Sequence, residues 1–244
     1  MEGITVFYPM YNEEMYIHRA VEAAKEVCEL MVKIGIIPDY EVLIIDDASS
    51  DATGRIADGL CSQDRHISVV HNPENRGLGG SLKAGFSSAK MDVVLYSDTD
   101  LPFDMMELKT AYRLMRYYEA DIVSAFRFDR TGEGLRRLVY SYVYNTLIQA
   151  LFGLRIKDVN FSFKLIKKEV FDHIRLGSEG SFIDAELLIR AQRSGFRIIQ
   201  FGTNYFPRSR GVSTLSSAGV IVKIVKEMLS MYRELKSIRP VVRR

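Results

Sequence analysis

The chain has 244 residues, a length that suits one large α/β domain or two small ones with a full hydrophobic core. Lysine and arginine together number 33 against 31 acidic residues, so the overall charge does not point to a nucleic-acid partner. The two cysteines and four histidines show neither metal-ligand spacing nor a CxxC pair, which argues against a zinc site and favours a reducing compartment.

Strand and helix signals alternate through the first half of the chain. The predicted strands are, in chain order, GITVFY, YEVLIID, HISVVH, DVVLYSD and DIVSAF. Asn12 is placed to cap the first helix, which runs through AVEAAKEVCELMVKI. Apolar strands without period two, each followed by a helix, indicate an α/β fold with a doubly wound, mostly parallel sheet and helices on both faces. Ligands of such a sheet bind outside the carboxyl ends of the strands.

Two apolar helices are predicted in the second half. LVYSYVYNTLIQALFGL is a run of 17 residues without a charge, which suits either a helix at a membrane interface or a buried core helix. AGVIVKIVKEMLSMYRELKSI has apolar residues at helical spacing and a basic opposite face, so it either packs on the core or contacts a membrane peripherally. We assign residues 1–215 to one domain, and 216–244 to an amphipathic, basic C-terminal helix and tail of that domain.

The first residues give an expectation for the protein's location. MEGITVFYPMYNEE lacks the charged start and long apolar run of a signal peptide. No other segment is apolar over the length that a bilayer span comfortably requires. We expect a cytoplasmic protein, either soluble throughout or peripheral on the cytoplasmic face of a membrane.

Acidic residues cluster where three predicted strands end. The clusters are Glu13 and Glu14, Asp46 and Asp47, and Asp98 and Asp100. Two carboxylates one residue apart repel each other unless solvent screens them or a cation lies between them. Mg²⁺ and Mn²⁺ prefer oxygen ligands and commonly share them with substrate phosphates. The pattern therefore predicts that Asp98 and Asp100 hold a divalent metal that neutralises a diphosphate; an exposed acidic turn is the alternative.

Seven motifs between residues 3 and 215 stand in a recognisable order. They are PMYNEE at 9–14, DDASSDAT at 46–53, NRGLGGSLKAG at 75–85, SDTD at 97–100, DVNFSFKLIKKEVF at 158–171, FIDAELLIRAQRSG at 182–195 and RSRGVS at 208–213. With them the chain resembles the family 2 glycosyltransferases of GT-A fold, and within these the polyprenyl-phosphate (dolichyl-phosphate) mannosyl- and glucosyltransferases.

The resemblance implies nucleotide-binding roles for residues at the strand ends. Pro9, Tyr11 and Glu13 match the segment that contacts the base and ribose, where an aromatic plane and a hydrogen-bonding carboxylate are useful. Asp47 matches the nucleotide-contacting aspartate, and the Thr99 backbone is expected beside the ribose. GLGG at 77–80 completes neither GxGxxG nor a Walker A pattern, and we expect it to let a loop approach the nucleotide.

The resemblance also implies catalytic residues. Asp98 and Asp100 match the metal-binding pair, and Asp184 and Glu186 match an acidic helix near the acceptor, where either could act as a general base or brace arginines. Cations are expected around the diphosphate and the acceptor phosphate, because arginine grips phosphate oxygens bidentately. The matching positions are Arg127, Arg136 or Arg137, and Arg208.

The sequence departs from the family pattern in three places. FSFK stands where CGFK or SGFR is usual, Pro102 replaces a glutamine that follows the metal pair in many mannosyl relatives, and Thr214 replaces a lysine in the closing motif. These changes leave the donor sugar and the acceptor open, and the sequence does not separate a UDP-hexose from a GDP-hexose donor.

The expected activity is metal-dependent, inverting transfer of a hexose to a polyprenyl phosphate. A lipid phosphate is already anionic and needs cations but no base, which the basic surroundings and apolar helices favour. A sugar-hydroxyl acceptor, or a non-catalytic relative that binds a nucleotide sugar, is the alternative. A nucleotidylyltransferase would place a glycine-rich basic loop after the first strand, and YPMYNEE is acidic and lacks glycine.

Overall fold

The computed structural model describes residues 2–129, 135–206 and 218–241. The strands within them are β1 (Ile4–Met10), β2 (Tyr40–Asp46), β3 (Ile67–His71), β4 (Val93–Tyr96), β5 (Ile122–Arg127), β6 (Lys164–Lys167) and β7 (Ile198–Thr203). The α-helices are α1 (Ile17–Lys33), α2 (Thr53–Gln63), α3 (Gly77–Ser88), α4 (Glu107–Tyr117), α5 (Leu135–Phe152), α6 (Ile183–Arg193) and α7 (Ala218–Ser237). A short 3₁₀ helix at Lys168–Asp172 follows β6.

The strands of the described chain form one sheet in the order β3-β2-β1-β4-β6-β5-β7. Strand β6 runs antiparallel to both neighbours, and all other pairs are parallel. This confirms the mostly parallel, doubly wound sheet predicted from the sequence. Strand β1 lies between β2 and β4, so the strand order reverses beside it, and a ligand crevice is expected at the carboxyl ends of these strands.

The sheet separates two hydrophobic cores, because successive side chains of a strand point to opposite faces. In β1, Val6 and Tyr8 lie in the core covered by α1, α2 and α4, and Phe7 lies in the other. That second core is covered by α3, α5, α6 and α7. Helices therefore cover both faces, as expected. The C-terminal helix α7 belongs to the second core through Ile224 and Leu235.

Helix α5, for which the sequence suits either a buried core helix or a helix at a membrane interface, is buried at one end and exposed at the other. Ile148 and Phe152, near its end, are buried in the second core, whereas Val139, Tyr142 and Val143, nearer its start, are exposed. Among the helices of the described chain, none has the length and apolarity to cross a membrane.

Candidate active site

Strained backbone marks the edge of the sheet where β1, β2 and β4 end. Asn12, Ala48 and Leu101, which follow these three strands, have φ angles of 57°, 58° and 52°. Residues other than glycine adopt this left-handed region uncommonly, because Cβ approaches the backbone closely. Such conformations persist where surrounding contacts hold them, and they concentrate at functional sites. Because three such residues follow neighbouring strands, we take the edge at the ends of β1, β2 and β4 as the candidate functional site.

The loops after β1 and β2 are fastened to each other. Asn12 Oδ1 accepts a hydrogen bond from Ser50 N at 2.8 Å, and Glu14 Oε2 accepts one from Ala52 N at 2.9 Å. Asn12 is therefore not the cap of α1, which begins at Ile17 without a side-chain cap. The prediction of a helix cap was wrong because a contact 38 residues away in the chain competes for the same carbonyl.

The Asp47 carboxylate organises the loop between β3 and α3. Asp47 is buried, and its Oδ1 accepts hydrogen bonds from Asn72 Nδ2 at 2.6 Å and from Arg76 N at 2.9 Å. Its backbone N donates to Met10 O at 2.8 Å, which joins the ends of β2 and β1. Neither Asn72 nor Arg76 was predicted individually as a residue of the site, although Arg76 lies in the motif NRGLGGSLKAG. Asp47 therefore sets the position of the start of α3, and nucleotide contact by Asp47 stays a prediction.

His71 lies between two carboxylates beside this loop. Its Nδ1 is 2.8 Å from Asp46 Oδ2, and its Nε2 is 3.1 Å from Asp58 Oδ1. These hydrogen bonds, first to Asp46 and then to Asp58, raise the pKa of His71 above its ordinary value. Asp46 also accepts a hydrogen bond from Ser49 N at 3.1 Å, so it braces the turn after β2.

Asp98 and Asp100 lie in a tight turn directly after β4, and both are half-buried. Leu101 N donates to Asp98 O at 3.4 Å, and Thr99 Oγ1 donates to Pro9 O at 3.3 Å. The second bond ties the acidic turn to the segment after β1. The structure therefore brings Pro9, Thr99 and the two aspartates together. Tyr11 and Glu13 follow Pro9 in the same segment, and the Tyr11 side chain is 51% exposed.

The acidic turn suits a metal that is shared with a substrate. Within the described residues, no group of three or more His, Cys, Asp or Glu side chains could hold a metal ion. Mg²⁺ sites commonly use one or two carboxylates, with substrate phosphates and water supplying the other oxygens. The half-buried Asp98 and Asp100 fit that donor set, since both offer hard oxygen ligands.

Arg127, a predicted phosphate ligand, is buried against an acid. Its Nε and Nη2 donate to the two carboxylate oxygens of Asp158 at 2.7 and 2.9 Å. Its guanidinium carbon lies 5.4 Å from the ring centroid of Phe161 and 5.1 Å from that of Tyr205. The geometry shows Arg127 bracing the segment before β6, and phosphate binding by it stays a prediction. Sequence reasoning missed Asp158 because the two residues lie 31 positions apart.

The other two arginines are less fully described. Arg137 lies within α5, and its side chain is outside the described part of the structure. Arg208 lies outside the described residues altogether.

Asp184, a predicted catalytic residue, is buried at the start of α6. Its Oδ1 is 2.6 Å from Nζ of Lys164, a fully buried lysine that also donates to Phe161 O at 2.7 Å. Burial raises the pKa of Asp184, and the charge of Lys164 opposes that rise. Asp184 is also hydrogen bonded to Tyr96, the last residue of β4, which joins α6 to the strand that carries the acidic turn. A general-base role for Asp184 stays a prediction.

Glu186 braces the turn before α6. Its carboxylate accepts hydrogen bonds from Gly177 N and Ser178 N, both at 2.8 Å, and pairs with Arg190 Nε at 2.7 Å. Both carboxylates of this acidic helix are therefore engaged with buried or half-buried partners.

A mostly parallel sheet of this order, with an antiparallel β6 and helices on both faces, is the architecture of the GT-A glycosyltransferases. The model of the family described as "Glycosyl transferase family 2" matches residues 5–175. The chain belongs to glycosyl transferase family 2.

Two relatives carry the similarity over most of this chain. It is 33% identical over 210 residues to glycosyltransferase AglD of Haloferax volcanii, covering 84% of this chain and 33% of AglD. It therefore spans about a third of that relative's length. It is 28% identical over 228 residues to polyprenol monophosphomannose synthase of Mycolicibacterium smegmatis, covering 88% of this chain and 82% of that enzyme.

A solved structure shows the same fold. Glucosyl-3-phosphoglycerate synthase of Mycobacterium tuberculosis, in complex with Mn²⁺, UDP-glucose and phosphoglyceric acid, superposes with a TM-score of 0.69 at 20% sequence identity. The match covers 95% of this chain and 80% of that one. At this level of identity the likeness supports the architecture of the sheet and helices.

Proposed function

We propose that the protein transfers a hexose from a nucleotide-diphosphate sugar to a polyprenyl phosphate, with inversion at the sugar. The observation that supports a donor site is the convergence of three strained loops where the strand order reverses, with Thr99 Oγ1 hydrogen bonded to Pro9 O. Asp98 and Asp100 would hold Mg²⁺ or Mn²⁺ there. When bound, such a metal neutralises negative charge on the diphosphate leaving group. The Mn²⁺ and UDP-glucose in the M. tuberculosis structure support this assignment.

The donor nucleotide would lie across the ends of β1, β2 and β4. Tyr11 offers an exposed aromatic plane to a base, and Glu13 lies two residues further on. Asp47, placed by its bonds to the loop before α3, would face the nucleotide from the β2 side. The M. smegmatis relative is named for mannose, and the M. tuberculosis structure contains UDP-glucose. The proposal therefore specifies a hexose donor and leaves the nucleotide as UDP or GDP.

The chemical class of the acceptor is inferred from the contacts of the two carboxylates of α6. Transfer to a sugar hydroxyl needs a general base within reach of the hydroxyl proton. Asp184 is buried against Lys164, and Glu186 is engaged by Arg190 and two backbone N–H groups. A phosphate oxygen needs no base, so these contacts favour an anionic acceptor. The mycobacterial relative's name, polyprenol monophosphomannose synthase, supports a polyprenyl phosphate.

In this reaction the acceptor phosphate oxygen attacks the anomeric carbon from the face opposite the diphosphate. A new carbon–oxygen bond forms as the bond to the diphosphate breaks, and the electron pair leaves with the nucleoside diphosphate. Arg137 and Arg208 are the proposed cations for the two phosphate groups, because guanidinium pairs bidentately with phosphate oxygens. Arg127 would act one step away by fixing Asp158 and the segment before β6.

A polyprenyl acceptor would be reached at a membrane surface. Helix α5 exposes Tyr142 and Val143, and α7 exposes Leu229 and, one turn earlier, Lys226. Apolar and aromatic side chains beside cations are typical of helices that lie in an anionic membrane interface. We therefore propose peripheral membrane contact through the exposed sides of α5 and α7.

The proposal is tested in two steps. Titration calorimetry with UDP and GDP, each with and without Mn²⁺, should give metal-dependent binding of one nucleotide. Transfer of labelled hexose is then compared between a polyprenyl phosphate and the corresponding polyprenol. Product from the phosphate alone supports the proposal, and product from the alcohol alone favours a hydroxyl acceptor. Nucleotide binding without transfer to either would favour the non-catalytic relative.

A further inference from the structure

Four residues before α6 form a segment that is held from several sides. We call Gly177, Ser178, Glu179 and Gly180 the bridging segment. The N–H groups of Gly177 and Ser178 donate to Glu186 of α6, both at 2.8 Å. Gly180 N donates to Oε1 of Glu227, which belongs to α7, at 3.1 Å. Carboxylates from two helices therefore hold the backbone of this segment.

Helix α7 contacts the bridging segment at more than one place. Ser178 Oγ lies 3.4 Å from the sulfur of Met231, and a Cβ added to Gly180 would lie 2.9 Å from Glu227 Oε2. Two turns after Glu227 on α7, Glu234 pairs with Arg190 Nη2 at 2.6 Å, and Arg190 also pairs with Glu186. The segment is thus packed against α7 with little space between them.

The opposite side of the bridging segment is packed against the start of α3. Gly79 N donates to Glu179 O at 3.0 Å, and Lys83 forms an ion pair with the Glu179 carboxylate. A Cβ added to Gly79 would lie only 2.4 Å from Ser178 O, a distance at which the backbone would have to move. The glycine at position 79 therefore permits close approach of the chain's own backbone, and approach of the GLGG loop to the nucleotide stays a prediction.

The start of α3 is in turn tied to Asp47. Arg76, the residue before α3, donates its backbone N–H to Asp47 Oδ1 at 2.9 Å. A Cβ added to Gly80 would lie 2.3 Å from Arg76 Cβ, so the first turn of α3 is closely packed on Arg76. Direct contacts thus lead from Glu227 through the bridging segment and α3 to the aspartate proposed to face the nucleotide.

We propose that α7 positions the nucleotide side of the active site through the bridging segment, and that Glu227 is the positioning residue that sets donor affinity. The inference rests on the proposed function, because it assumes that a nucleotide binds beside Asp47. Its physical basis is the Glu227–Gly180 hydrogen bond, in which a side-chain oxygen at position 227 accepts the backbone N–H of the bridging segment. Loss of that bond releases the segment from α7 and lets the start of α3 shift.

The test separates this mechanical effect from simple electrostatics. Glu227→Ala removes both the charge and the acceptor, and Glu227→Gln keeps an acceptor oxygen without the charge. We expect Glu227→Ala to weaken binding of the nucleotide, in the presence of Mn²⁺, by about fivefold, and Glu227→Gln to restore most of the affinity. Removing a negative charge would by itself strengthen binding of an anion, so the two explanations predict opposite signs.

A second variant guards against misfolding of the first. Glu179→Ala acts from the α3 side on a side chain that is 56% exposed, and we expect it to weaken nucleotide binding in the same direction. Arg233→Ala, at another exposed position of α7, is the control and should leave affinity unchanged. In transfer assays the loss should raise KM for the nucleotide sugar and leave kcat unaltered.

The outcomes distinguish the two levels of the proposal. Absence of nucleotide binding by the wild-type chain refutes the proposed function. Wild-type binding with unchanged affinity in folded Glu227→Ala or in Glu179→Ala overturns the positioning role alone. Equal loss in Glu227→Ala and Glu227→Gln also overturns it, because the hydrogen bond would then not be the cause.

Discussion

The buried pair of Lys164 and Asp184 gives the sharpest test of how the site is braced. Both side chains are almost fully buried, and their charged atoms lie 2.6 Å apart. Lys164→Met keeps a similar length and volume but leaves the Asp184 carboxylate without its cation. Removing one partner of a buried ion pair costs about 3–5 kcal/mol, because the remaining charge stays desolvated. We expect Lys164→Met to lower the free energy of unfolding by that amount at pH 8.

The loss should depend on pH with a defined sign. Burial already raises the pKa of Asp184, and loss of the lysine charge raises it further. A group whose folded pKa is raised binds a proton more readily in the folded than in the unfolded state, so it costs stability progressively as pH rises through that range. The difference between Lys164→Met and the wild type should therefore be smaller at pH 5 than at pH 8.

Urea denaturation at the two pH values measures both effects. Lys167→Met, on the same strand, removes a partly exposed lysine whose distance to Glu169 is 3.7 Å, and it should cost at most about 1 kcal/mol. The double variant Lys164→Met with Asp184→Leu removes both charges and should recover much of the loss. A Lys164→Met variant as stable as Lys167→Met at pH 8 would refute the idea that the pair is a buried brace.

Three further predictions concern the metal, pH and membrane contact. Asp100→Asn should abolish Mn²⁺-dependent nucleotide binding in calorimetry with an unchanged melting temperature; retained binding contradicts the metal role. Because its pKa is raised, His71 stabilises the fold below about pH 6.5 and loses this effect as pH rises. His71→Phe should therefore flatten the stability–pH curve there, and an unchanged curve contradicts this. Leu229→Glu should weaken sedimentation of the protein with anionic vesicles. Tyr117→Glu, on α4 at the other face of the sheet, should not weaken it, and equal sedimentation of both variants contradicts the membrane contact.

The order of strands and helices in the first half was predictable because each strand is a continuous apolar run. Strands β6 and β7 were not predicted. Strand β6 is only four residues long, KLIK, and begins with Lys164, a charge that a sequence pattern assigns to the surface. Asp184, 20 residues later, supplies the opposite charge to that buried lysine. Strand β7 is half-buried over most of its length, so its apolar signal is weak.

The residues of the site were predictable where the signal is local. Asp98 and Asp100 stand one residue apart after an apolar strand, and the structure places them in a turn at the reversal point of the sheet. The partners of Arg127 and Asp47 were not predictable, because Asp158 and Asn72 reach them only through the fold. A sequence motif marks a charged residue as important but does not say whether its partner is a ligand or another side chain.

Exposure separates the acidic turn after β4 from the acids around β6 and α6. Asp158, Asp184 and Glu186 are buried and paired with internal cations, so exchanging those partners for a ligand would leave buried charges uncompensated. Asp98 and Asp100 are only half-buried, so solvent screens their charges more than those of the buried acids. Because the acids around α6 are occupied in holding β4, β6 and α6 in place, we expect the proposed chemistry to depend on the aspartates of the acidic turn. That division favours an acceptor that arrives already ionised.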